Sequence, residues 1–300
     1  MTIFLTGASG YIGGAVALRL MQDGHRIRGL VRSPDKAARL QALGIEPVLG
    51  DLSDTALLAR EATAADAVVN AASADDRAAV EALLDALAGS GKPFLHTSGT
   101  SVVADDARGE WASDRIYEED TPVEPVPGKA ARVAIDRLIV DAAERGVRSV
   151  VLCNSLIYGT GPGLSADSVQ IPALVAAARK TGVVRHIGRG LNIWSNVHVD
   201  DMAELYALAL ARAPAGAFYY VENGEASFAE AAAAIARRLG LGAPQPWPVD
   251  DAIAALGFGH AVYSLGSNSR VRGKRTLAEL GWAPKHASLT GWIEGEMPVD

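Results

Sequence analysis

Three glycines, Gly7, Gly10 and Gly13, stand at the spacing GxxGxxG in the run TGASGYIG, residues 6–13. A β-branched stretch precedes them and a helical one follows, the strand–turn–helix context in which such glycines hold a dinucleotide. The first lets the chain turn off the strand, the second removes a side chain where a pyrophosphate approaches the backbone, and the third lets the helix pack close to the sheet. The free N–H groups and dipole of the helix start favour the diphosphate. The expected contacts are Gly7, Ser9, Gly10, Tyr11, Ile12 and Gly13. A second group of residues selects among dinucleotides. An acid at the end of the next strand would bind the adenosine ribose hydroxyls and repel a 2′-phosphate. The chain instead reads Leu30-Val31-Arg32-Ser33, with Lys36 one helical turn further on. A guanidinium grips a phosphate through two parallel hydrogen bonds. Arg32 and Lys36 therefore predict NADP(H) rather than NAD(H).

A parallel sheet must carry these residues. Segments 2–6, 25–31, 45–49, 66–70, 93–97 and 147–153 read as strands, and 11–23, 34–43, 54–62, 75–90 and 129–145 as the helices between them, with Pro34 at a first turn. Strands alternating with helices predict an α/β fold of Rossmann type, a doubly wound parallel sheet with helices on both faces. The second half is less regular. It offers a glycine-rich loop at 159–168, a helix at 170–181, a strand at 194–199, and a helix capped by Asp200 or Asp201 that runs to Arg212. A strand at 218–222 follows, then a helix at 227–240 with Ser227 and Glu230 as a capping box and Gly240 at its end. The expected division is a dinucleotide-binding domain over 1–158 and a smaller substrate lobe over most of 159–300. Residues 190–212 are expected to return to the first domain, leaving a cleft between the two.

Bulk properties narrow the partners. The 300 residues are 49% apolar and 21% charged, with a net charge of −7. That balance argues against nucleic acid or an anionic membrane as the main partner. The basic cluster Arg270, Arg272, Lys274 and Arg275 reads as a solvated face, with an anionic substrate as the alternative. Cys153 is the single cysteine. It admits no internal disulfide, fits a reducing compartment, and reads as a packed thiol in the strand-like flank SVVLCNSL. No CxxC or HExxH spacing occurs, so no metal is expected. The start MTIFLTGASG has neither a basic n-region nor a cleavage site, and no apolar run approaches the ~20 residues of a membrane span. The expected setting is cytoplasmic.

With TGASGYIG stand Gly50-Asp51-Leu52, Asn70-Ala71-Ala72-Ser73, His96-Thr97-Ser98-Gly99-Thr100, LIYGTGPG (156–163), NVHVDDMA (196–203) and LAELGWAP (277–284). In this order and spacing the sequence resembles the short-chain dehydrogenase/reductase superfamily, in its extended, epimerase/dehydratase-like branch, over nearly the whole chain. The resemblance implies that Asp51 and Leu52 contact the adenine and that Ala71, Ala72 and Ser73 pass under the cofactor. It puts Ser98 at the carboxyl end of its strand, where its hydroxyl could hold a substrate carbonyl.

The family's usual engine is a tyrosine followed four residues later by a lysine. The phenol moves the proton, and the lysine lowers its pKa and holds the nicotinamide ribose. Here the tyrosines are 11, 117, 158, 206, 219, 220 and 263, and none has a lysine at that distance. Aligning Asp136 and GVRSVVL on the family pattern puts Gly128 at the tyrosine position and Arg132 at the lysine position. Arg132 can hydrogen-bond the ribose but cannot relay a proton. Asn154, where the family often has proline, and Ser155 add polar groups near the nicotinamide. The candidates for stabilising a developing alkoxide are Ser98, Tyr158 and Lys129, with Thr100, a water or the substrate itself as further options. His198 is expected to pin its strand, and His96 to be a half-buried strand residue. Gln170, Asn192, Trp194, Tyr263 and Arg270 are candidates for the cleft, and Trp247 and Trp282 for packing. The first reading is an NADPH-dependent reductase of a small-molecule carbonyl or imine with a non-standard proton donor. An epimerase, isomerase or lyase using a held NAD(P), and a nonenzymatic NADP(H)-binding redox sensor, stay open beside it. The alanine-rich faces of 75–90 and 129–145 permit a homodimer.

Overall fold

The computed structural model describes residues 1–286 and 288–299. Its centre is a seven-stranded sheet. The first six strands are β1 (Thr2–Thr6), β2 (Arg26–Val31), β3 (Glu46–Leu49), β4 (Ala67–Asn70), β5 (Pro93–Gly99) and β6 (Arg148–Asn154). The later strands are β7 (Leu156–Tyr158), β8 (Arg185–Ile187), β9 (Ile193–His198), β10 (Ala217–Val221), β11 (Glu225–Ser227) and β12 (Gln245–Trp247). The central order is β10-β6-β5-β4-β1-β2-β3, and every pair runs parallel.

Successive side chains of a strand point to opposite faces, and here both faces are covered. Ile3 and Leu5 pack into one core with helices α1 (Tyr11–Gln22) and α2 (Pro34–Ala42), while Phe4 packs into another. Helices α3 (Thr55–Ala64), α4 (Arg77–Leu87) and α5 (Ala130–Asp141) cover that second face. This is the doubly wound arrangement that the alternating pattern predicts. The carboxyl ends of β1, β4, β5 and β6 open on one edge, where ligands of such sheets bind.

The second lobe has its own core. Helices α6 (Gln170–Thr181), α7 (Val199–Arg212) and α8 (Phe228–Leu239) follow in chain order. Ile171, Leu174, Trp194, Phe228, Ile235 and Ile293 pack together in this lobe. The lobe carries a three-stranded sheet, β11-β9-β7, and the pair β12-β8. α7 instead lies against α1, with Met202, Leu205, Tyr206 and Leu210 in the main core.

Two boundaries differ from the sequence expectation. β10 joins the central sheet beside β6, so the return extends past 190–212 to 217–221. β7, inside 1–158, pairs with β9 in the small sheet. The α7 cap also differs. The N-cap is His198, whose Nδ1 accepts the Asp200 N–H at 3.2 Å. Asp201 turns away, and its carboxylate accepts the N–H groups of Lys285 and His286 at 2.9 and 2.8 Å. The capping box of Ser227 and Glu230 is present, and Gly240 ends α8. Cys153 is wholly buried, and burial pushes its thiol pKa up. Among the described residues, no helix is long and apolar enough to cross a membrane.

Candidate active site

The glycine loop is built as its spacing requires. Gly7 has φ +79°, and a Cβ there would lie 2.6 Å from the Ala71 carbonyl oxygen. A Cβ on Gly13 would lie 2.2 Å from the Gly7 carbonyl oxygen, so this glycine lets helix and turn lie close together. Thr6 joins the two neighbouring strand ends. Its hydroxyl donates to Asn70 at 2.6 Å and accepts the N–H groups of Ala71 and Ala72 at 3.2 and 3.3 Å. α1 starts at Gly10 with no side-chain cap and no acid in its first turn. Its first N–H groups are left for an anion.

Around this loop lies a cavity of about 800 Å³. It is lined by Gly7, Ser9 and Gly10, by Arg32 and Lys36, by Asp51 and Leu52, and by Ala71, Ala72 and Ser73. Arg32 is exposed and has no ion-pair partner among the described residues. The Asp51 carboxylate accepts the Ser53 hydroxyl and N–H, which hold its pKa below the usual range. A second cavity, of about 500 Å³, shares Gly10 and Ala71 with the first. It adds Tyr11, Ile12, Ser98, Lys129, Arg132, Asn154 and Ser155. Together they form one elongated cleft over the strand ends, a shape that can take a two-headed ligand. Tyr11 closes its wall by donating to the Gly159 carbonyl at 2.8 Å.

The floor of the second cavity is polar and buried. Ser98 donates its hydroxyl proton to Asp136 at 2.8 Å. Burial pushes the Asp136 carboxyl up to about 7, against the opposing pull of Ser98 and of the Arg132 charge. The other carboxyl oxygen, Oδ1, has no hydrogen-bond partner among the described residues. Asn154 donates to Tyr206 at 2.9 Å, and its Oδ1 is likewise buried without a partner there. Asn154, Ser155 and Ser98 give the cavity a polar wall, so the residues present fit a nicotinamide carboxamide. Arg132 is tied to Asp75, with Nε donating at 2.8 Å, and to Ser101 at 3.1 Å. Lys129 is half-buried, and burial lowers its pKa. Gln170, Trp194 and Tyr263 reach the same cavity, as expected for cleft residues.

Other sequence candidates lie elsewhere. Tyr158, a candidate for stabilising the alkoxide, is buried in the second lobe. It donates to the His286 carbonyl at 3.1 Å and packs edge-on against His198 and tilted against Trp292. Burial raises its pKa, and it does not line the cavity that holds Ser98 and Lys129. Asn192 is spent on the carbonyls of Leu265 and Ser267. Arg270 pairs with Glu225, Arg272 with Glu222 and Lys274 with Glu118, so acids on neighbouring segments neutralise most of the basic cluster. Thr100 lines the cavity, but its Oγ1 accepts from Ser269 at 2.8 Å. His96 is fully buried rather than half-buried, and burial lowers its pKa to about 3, which keeps it neutral. His198, Asp200 and His286 bring possible ligand atoms together, but the lone pair of His198 Nδ1 already caps α7.

In the sequence Asp136 stands out only as the acid of the family pattern. Its place under Ser98 had one signal, a carboxyl on the inner face of the helix that crosses β5 and β6.

Comparison with known proteins places the chain among dinucleotide enzymes. The sequence model of the NAD dependent epimerase/dehydratase family matches residues 3–221. An uncharacterized protein of Schizosaccharomyces pombe is 31% identical over 302 residues, 96% of this chain and 97% of that one. The 4-hydroxy-2-methyl-3-oxo-4-farnesyl-3,4-dihydroquinoline-1-oxide ketoreductase of Stigmatella aurantiaca is 29% identical, covering 75% of this chain and 69% of its own. The 2-alkyl-3-oxoalkanoate reductase of Stenotrophomonas maltophilia is 28% identical, covering 75% and 71%. Among solved structures, dTDP-glucose 4,6-dehydratase of Bacillus anthracis, in complex with NAD, superposes with a TM-score of 0.78. The match covers 98% of this chain and 94% of that one at 19% identity, a likeness of fold.

Proposed function

Because the chain belongs to the NAD dependent epimerase/dehydratase family, we propose that it is an NADPH-dependent reductase of a small-molecule carbonyl or imine. The observation that carries this reading is the single cleft. One end pairs the glycine loop with Arg32 and Lys36 and offers no acid at the end of β2; the other end has Ser98 over the buried Asp136. Arg32 and Lys36 bind the 2′-phosphate that distinguishes NADPH. Gly7, Ser9, Gly10, Tyr11 and Ile12 hold the diphosphate, Asp51, Leu52 and Ala71–Ser73 flank the adenosine half, and Arg132, Asn154 and Ser155 receive the nicotinamide half.

Bound NADPH supplies a hydride to the substrate carbon. Ser98 orients the carbonyl. With Asp136 protonated, the carboxyl donates to Ser98, and the serine hydrogen is free to point at the substrate oxygen. With Asp136 ionised, the carboxylate holds that hydrogen. Lys129 has no ion-pair partner among the described residues and adds positive charge on the side where an alkoxide forms. Two reductase relatives act, by their names, on 3-oxo compounds bearing alkyl or farnesyl groups. The cleft wall at Val169, Trp194 and Tyr263 supports a carbonyl with an apolar substituent here too. The buried lone thiol supports a cytoplasmic setting, and α4 and α5 are where two copies would pair.

The test is to titrate the protein with NADPH and NADH, then follow the reduced-nicotinamide absorbance with 2-alkyl-3-oxo esters and a wider carbonyl and imine panel. We expect NADPH to bind at least about tenfold tighter, as a charge-assisted phosphate contact gives, and to be consumed. Tight NADPH binding without consumption on any substrate would support the redox-sensor reading. Tighter binding of NADH would contradict the role of Arg32.

A further inference from the structure

Gly128, at the family's tyrosine position, leaves the ordinary proton donor missing, yet the space it vacates is filled. A Cβ built on Gly128 would lie 3.3 Å from Cε2, 3.9 Å from Cζ and 4.0 Å from the hydroxyl oxygen of Tyr263. Tyr263 comes from the other lobe, on the turn Ala261–Leu265, whose residues Ala261, Val262 and Leu265 are buried. Phe258 braces its ring edge-on at 5.4 Å, and Ser267 donates to its carbonyl at 3.0 Å. Lys129, the residue after Gly128, holds its ammonium 5.8 Å from the ring centroid. All three side chains that matter, Ser98, Lys129 and Tyr263, line one cavity.

We propose that Tyr263 is the proton donor of the reaction, and that with Lys129 it rebuilds across the cleft the tyrosine–lysine pair that the chain lacks in sequence. The inference rests on the reductase reading above. The substrate carbon gains the hydride supplied by NADPH, the C=O π bond breaks, and the oxygen takes the proton from the Tyr263 hydroxyl. The carbonyl is thereby reduced by two electrons and the dinucleotide oxidised. The Lys129 charge stabilises the phenolate left behind, and water entering the open cavity reprotonates it. Gly128 then leaves room for the Tyr263 ring, since even a Cβ there would press on Cε2 at 3.3 Å.

The test uses the full chain and two readouts. Tyr263→Phe keeps the ring against Phe258 and Gly128 and removes only the hydroxyl. We expect kcat to fall by about 10²- to 10⁴-fold, the usual worth of a general acid, with the NADPH Kd within about twofold of the parent. A Tyr263→Phe kcat within about threefold of the parent would overturn the proposal. Independently of turnover, protein labelled with 3-fluorotyrosine gives a fluorine resonance for Tyr263, identified by its loss in Tyr263→Phe. That resonance should shift on saturation with NADPH, and an unmoved resonance would place the phenol outside the reaction site and overturn the proposal. If the parent binds NADPH but reduces nothing, the reductase reading fails, and the fluorine shift still decides where Tyr263 stands.

Discussion

Replacing Asp136 by Asn should make the chain more stable at pH 8 and change it little at pH 4.5. Asp136 is 5% exposed, with one carboxyl oxygen accepting from Ser98 and the other without a partner among the described residues. Its ordinary pKa of 3.8 is raised by burial to about 7. Between these values the folded chain keeps a proton that the unfolded chain releases. A raised folded-state pKa therefore gives stability that is whole below about pH 4 and lost as pH climbs through 7. At about 1.4 kcal/mol per pH unit, the loss amounts to about 4 kcal/mol. Asn keeps an acceptor for Ser98 and has no charge to bury. Urea unfolding of both proteins from pH 4.5 to 8.5 gives the measurement, because the difference between them cancels the titration of every other group. Across this range it should grow in favour of Asp136→Asn by about 3.5 kcal/mol and level off above pH 7. A difference that is flat with pH, or an Asn variant that is the less stable at pH 8, would refute the reasoning.

The same geometry makes other predictions. Since the Ser98 hydrogen is free only while Asp136 is protonated, kcat/KM of the parent should fall above about pH 7, and a profile unaffected by Asp136→Asn would break that link. Arg32→Ala should weaken NADPH by about 10- to 100-fold, the worth of a charged hydrogen-bonded contact, and leave NADH within about twofold, as read by fluorescence titration. Gly13→Ala would drive a Cβ to 2.2 Å from the Gly7 carbonyl oxygen. It should cost about 1–3 kcal/mol in thermal unfolding and weaken both dinucleotides, since backbone must move to admit it; full NADPH affinity in that variant would contradict the tight turn.

The sheet was legible because its signals are local. Val68 and Val69 face opposite cores, and such runs between alanine-rich helices can hardly be anything but buried parallel strands. The phosphate loop was legible for the same reason, since Gly7 and Gly13 meet backbone only a few residues away or on the adjacent strand. What escaped depends on long-range approach. Tyr158 carries a family-like YG signature, but only the tertiary fold shows that His286 and Trp292 cover it. Likewise, nothing near residue 263 marks it as the neighbour of Gly128, 135 positions earlier. Residue preference points to an aspartate as the cap of α7, but the helix begins at Val199, which puts His198 at the N-cap and both aspartates inside the first turn, where Asp201 accepts from Lys285 and His286.

The central claim is hydride transfer from NADPH to a carbonyl carbon in the cleft over Ser98. Its most direct test is a reaction with NADPH carrying two deuterium atoms at C4 of the nicotinamide, a 2-alkyl-3-oxo ester as substrate, and mass analysis of the product. The account predicts one deuterium on the new carbinol carbon, with NADP+ formed in equal amount, and little or no transfer when NADH replaces NADPH. Carbinol formed without deuterium, or deuterium delivered equally well from NADH, would contradict it.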